Sequence, residues 1–99
     1  VTLPGERHRL TIATRLRPDQ NSQLMGLYAS NGMLCTQCEA EGFRRITFFP
    51  DRPDVLSTYS VRMSGPKAQF PVLLANGNRT DAGEEGEAHW ALWHDPWPK

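Results

Sequence analysis

The sequence has only two cysteines, carries no net charge and contains no long apolar run, and each shortage excludes a class of protein. Two cysteines cannot supply the disulfide framework by which small secreted domains hold together, so a reduced, cytoplasmic setting is expected. With 11 basic residues against 11 acidic ones, no bulk field draws the chain to nucleic acid or to an anionic membrane. No stretch approaches the roughly 20 apolar residues of a membrane span. The start, Val1-Thr2-Leu3-Pro4-Gly5-Glu6, also lacks the basic and apolar regions of a signal peptide. Catalytic motifs are missing too: there is no Ser-His-Asp set, no Gly-rich phosphate loop and no H-E-x-x-H.

What is present is punctuated alternation. Ninety-nine residues suit one domain, able to bury roughly 65% of the surface that its unfolded form exposes. From His8 to Arg17, Leu10, Ile12 and Leu16 oppose Arg9, Arg15 and Arg17, which predicts a half-buried strand. Leu24 to Tyr28 and Met33 to Cys38 flank Ser30-Asn31-Gly32, and Asn-Gly between apolar runs predicts a tight hairpin because both residues tolerate positive φ. Ala40, Phe43 and Ile46, three apart, predict one or two helical turns. Leu56 to Met63 predicts a strand, and the dense run Phe70 to Ala75 predicts one buried on both faces, turning at Asn76-Gly77-Asn78 into a second hairpin. Arg79 to Glu87, rich in acids, predicts a solvated edge strand and loop, and Ala88 to His94 a closing strand. The expected fold is all-β: an antiparallel sandwich or saddle-like sheet with one or two short helical turns.

One stretch gathers chemistry: Leu34-Cys35-Thr36-Gln37-Cys38-Glu39-Ala40-Glu41-Gly42-Phe43-Arg44-Arg45. On a strand, Gln37 and Glu39 would point the same way, an acceptor-rich pair suited to an ammonium group. The competing reading is a solvated strand end. Cys35-x-x-Cys38 reads as a redox pair, half a metal site or two packed thiols. His89 and His94 lie about 50 residues beyond, too far for a finger-type zinc site, and the βαβ context of a thioredoxin-like pair is missing. Packed thiols are therefore the favoured reading. Trp90, Trp93 and Trp97 could form an aromatic ligand shelf, but their spacing favours core or interface.

The run Cys35-Thr36-Gln37-Cys38-Glu39-Ala40-Glu41-Gly42-Phe43-Arg44 closely resembles the bacterial branch of the zinc-dependent aminopeptidase N (alanyl aminopeptidase) family. Asp51-Arg52-Pro53-Asp54-Val55-Leu56, Leu73-Leu74-Ala75-Asn76-Gly77-Asn78 and Trp90 to Lys99 extend the likeness to about two thirds of the chain. The resemblance implies that residues 1–99 are part of the family's saddle-shaped N-terminal β domain, with the catalytic domain outside them. A start without Met and an apolar Trp97 near the end fit a piece of something longer. The resemblance further implies that Glu39 grips the substrate's α-ammonium and Gln37 lines the pocket for the first side chain. The family's zinc ligands and catalytic glutamate match nothing here, so no catalytic or metal residue is expected within the chain. The expectation is a metalloaminopeptidase that removes N-terminal residues from peptides, using zinc in the full-length enzyme, while these residues alone bind no metal and are inactive. Expected partners are the peptide N terminus and the catalytic domain of the same chain, with self-association invited at exposed sheet edges and neither nucleic acid nor membrane involved. The alternative is a free-standing β-sandwich interaction module using the Trp-rich C-terminal strand.

Overall fold

A computed structural model describes residues 9–99 and resolves two compact units, one ending at Arg52 and the other spanning Pro53–Lys99. All strands pair antiparallel, and the helical content among the described residues is two 3-10 turns, Pro18–Gln20 and Phe43–Arg45. The all-β expectation holds, and the helical turn expected around Phe43 is the second of these.

In the first unit, β1 (Gly26–Ser30) and β2 (Met33–Gln37) form the expected hairpin, with Ser30 opposite Met33. Asn31 and Gly32 sit at φ 50° and 79°, both left-handed, which matches the twist of the flanking strands. Asn21 organises the approach to β1: its side-chain amide donates to the carbonyls of Met25 and Leu27 at 2.7 and 2.9 Å, and its Oδ1 accepts from the Gln23 N–H. The strand expected from His8 to Arg17 is not formed over its described part, and His8 lies outside the described residues. Alternation supplies a two-faced segment, but a strand also needs a neighbour to take its backbone hydrogen bonds, and none of the sheet pairings includes these residues.

In the second unit, β5 (Ala88–Asp95) lies between β3 (Tyr59–Pro66) and β4 (Asn78–Glu85). Ala91, the one buried apolar residue among those described, sits mid-sheet with Met63 on one side and Ala82 on the other. Gly83 faces Trp90, and a Cβ there would lie 2.7 Å from the indole nitrogen, so the missing side chain makes room for the ring. Arg62 covers the same ring from 5.0 Å. β4 is the expected solvated edge, irregular between Arg79 and Asp81.

Phe70 to Ala75 is not a strand. Two of its carbonyls meet side chains of β5 instead of a ladder: the Trp93 indole N–H donates to Leu73 O at 3.2 Å, and His89 Nε2 lies 2.6 Å from Phe70 O. Val72 and Leu74 face outward while Leu73 is half-buried, so the run is not covered on both sides. The second hairpin consequently joins β4 to β5 at Gly86, φ 61°, and not the 70–75 run to β4.

Candidate functional site

β2 ends at Gln37, and the chain then doubles back on itself. The Gly42 N–H donates to Cys38 O at 2.8 Å, closing a turn that carries Glu39, Ala40 and Glu41. A Cβ on Gly42 would lie 2.4 Å from Gln37 O and 2.8 Å from Cys38 Cα, contacts that only glycine avoids. Gln37 Nε2 donates to the backbone carbonyl of Glu39 at 2.9 Å, and both residues are exposed. The two expected site residues are thus adjacent, but Glu39 lies beyond the strand, so the turn and this hydrogen bond join them and strand alternation does not. The hydrogen bond engages the Gln37 amide N–H and the Glu39 backbone, so the Gln37 amide oxygen and the Glu39 carboxylate take no part in it.

Beyond the turn, the 3-10 segment Phe43–Arg45 is held from two sides. The Arg44 backbone N–H and Nε both donate to Asp51 Oδ2, at 3.0 and 3.2 Å, and Arg44 Nη2 donates to Asp51 O at 2.8 Å. Arg45 Nη1 donates to Gln23 Oε1, and Arg45 Cβ crowds Gly26 at the start of β1. The Phe43 and Phe49 rings pack at 4.9 Å between centroids. The two arginines therefore act as structural ties. In the sequence Asp51 stands out only as the start of the family-like run Asp51 to Leu56, and the signal for its tie is an acid seven positions after Arg44 across a short, non-periodic segment.

Cys35 and Cys38 are both half-buried free thiols. Burial pushes the Cys38 thiol pKa up, and the negative charge of Asp51 pushes it further. His89 and His94 are committed elsewhere, to Phe70 O and to Ser60 Oγ at 2.9 Å. Among the described residues no three His, Cys, Asp or Glu side chains gather as metal ligands. Nor is any helix among the described residues long and apolar enough to cross a membrane.

Residues 2–99 match the Peptidase M1 N-terminal domain, and the chain belongs to that family. It is 57% identical to Aminopeptidase N of Caulobacter vibrioides over 91 residues, which is 91% of this chain and 10% of that protein. Against Aminopeptidase N of Escherichia coli it is 50% identical over 95 residues, 95% of this chain and 11% of the relative. A crystal structure of Legionella pneumophila aminopeptidase A in complex with aspartic acid superimposes with a TM-score of 0.78 at 39% identity, covering 80% of this chain and 9% of that one. The chain thus spans about a tenth of the length of these relatives.

Proposed function

We propose that this chain supplies the amine-recognition part of an aminopeptidase: Glu39 pairs with the free α-ammonium of a peptide, and Gln37 offers its amide oxygen beside it at the first side-chain pocket. The supporting observation is the exposed Gln37–Glu39 pair, tied by the 2.9 Å hydrogen bond on a turn that Gly42 closes. An ammonium has three donors and no acceptor, so a carboxylate next to an amide oxygen is complementary to it. At about 4 Å and an effective dielectric of about 20, the charge pair attracts by roughly 4 kcal/mol before desolvation is subtracted. A blocked amine would give that carboxylate no charged partner, which favours substrates with a free N terminus.

The hydrolytic step, with zinc and its ligands, belongs in this reading to polypeptide outside these residues, and a cytoplasmic setting completes the proposal. The Trp-rich strand gives less support to an interaction module, because Trp93 and Trp90 are engaged with Leu73 and Arg62 of the same unit. In the full-length protein, Glu39→Gln is expected to lower kcat/KM for free-amine substrates about tenfold or more, equivalent to about 1.4 kcal/mol. Unchanged kinetics would refute the assignment.

A further inference from the structure

The Arg44–Asp51 tie is more than a surface ion pair. Exposed pairs contribute little because two long side chains must be ordered for a screened attraction. Here one carboxylate oxygen accepts both a backbone N–H and the guanidinium Nε, and the guanidinium returns to the backbone carbonyl of the same aspartate. The Asp51 side chain is only 17% exposed, so its partners are not readily replaced by water. The backbone held in this way begins directly after Gly42, whose own N–H closes the Glu39 turn onto Cys38. The Glu39 turn is therefore fixed at one end by β2 and at the other by Asp51.

We propose that Asp51, acting through Arg44, is a positioning residue that sets the placement of Glu39 for substrate. The proposal rests on the reading of Glu39 as the amine anchor. Without the Asp51 carboxylate, the Arg44 N–H loses its acceptor and the 3-10 segment can shift relative to β2. The Glu39 carboxylate shifts with it and holds the substrate ammonium less well in ground state and transition state alike, a loss of binding that is read in KM.

The test uses the full-length protein and L-alanine p-nitroanilide. Asp51→Ala should raise KM about fivefold or more while kcat stays within about twofold, and Asp51→Asn, which keeps an acceptor oxygen, should fall between it and wild type. In a Glu39→Gln background, Asp51→Ala should add less than about twofold to the loss in kcat/KM, because the carboxylate it positions is gone. A purely stabilising residue would lower Tm without this dependence on Glu39. An undiminished Asp51→Ala effect in the Glu39→Gln background would overturn the proposal, as would unaltered KM in both Asp51 variants. Should Asp51→Ala fail to fold, Asp51→Asn gives the same comparison. If Glu39→Gln alone leaves kcat/KM unchanged, the anchor reading itself falls, and this proposal falls with it.

Discussion

Cys38 sits at the junction of β2 and the Glu39 turn, where its carbonyl accepts the Gly42 N–H and its thiol is half-buried near Asp51. Burial disfavours the thiolate first, and the Asp51 charge adds to that, so both influences act against nucleophilicity. This residue is built to pack, not to react. In the full-length protein, the pH profile of Cys38 alkylation by iodoacetamide, followed by mass spectrometry, should have its midpoint above the ordinary thiol value of 9.0. Asp51→Asn should move that midpoint down, because it removes the nearby negative charge while leaving the burial. A wild-type midpoint below the ordinary value would contradict the placement of Asp51 against this thiol.

At the level of elements, β5 organises the second unit, and its end is secured by Asp95. That carboxylate is buried and accepts from the Lys99 ammonium and from the Trp97 N–H at 3.1 Å. The Lys99 hydrogen bond, then the Trp97 N–H, holds the Asp95 pKa below the ordinary carboxylate value. The folded chain therefore binds this proton less readily than the unfolded chain. Its contribution is present above the unfolded pKa of about 3.9 and is lost as pH falls through the lower folded value. Asp95→Asn should lower stability at neutral pH, and the gap to wild type should narrow below about pH 4, as urea unfolding across pH would record. A gap that stayed constant down to pH 2 would rule the linkage out.

These elements were legible in the sequence to different degrees. The Asn31-Gly32 hairpin and the β5 alternation could be read because local backbone preference and side-chain period agree with the pairing that forms. Phe70 to Ala75 could not, since the Trp93 indole and His89 ring, about 20 positions away, meet two of the carbonyls that a ladder would have used. Gln37 and Glu39 were expected together, yet the cause is the Gly42 close approach, which no periodicity encodes. The Asp51 tie could not be read, because it depends on where the 3-10 segment points the Arg44 N–H.

At the scale of the whole molecule, burial is the governing quantity. Among the described residues Ala91 alone is a buried apolar side chain, whereas Phe48, Val72 and Leu74 are 77%, 67% and 72% exposed. Folding must offset roughly 1–2 kcal/mol of backbone entropy per residue, mostly by apolar burial, and these units leave much of their apolar surface uncovered. In the reading proposed above, which puts the catalytic polypeptide outside these residues, contact with that polypeptide would meet the need. Val72 and Leu74, on the segment that the β5 side chains hold in place, are expected to be covered in this way. Val72→Asp and Leu74→Asp in the full-length protein should then each destabilise by about 2 kcal/mol or more, because an enclosed carboxylate without a partner is costly. Glu87→Lys, an exposed charge change in the turn between β4 and β5, serves as the control and should stay within about 0.5 kcal/mol. If the two apolar variants unfold at the same urea concentration as that control, the outward face of the 70–75 segment is open to solvent in the complete protein, and its burial must be completed elsewhere.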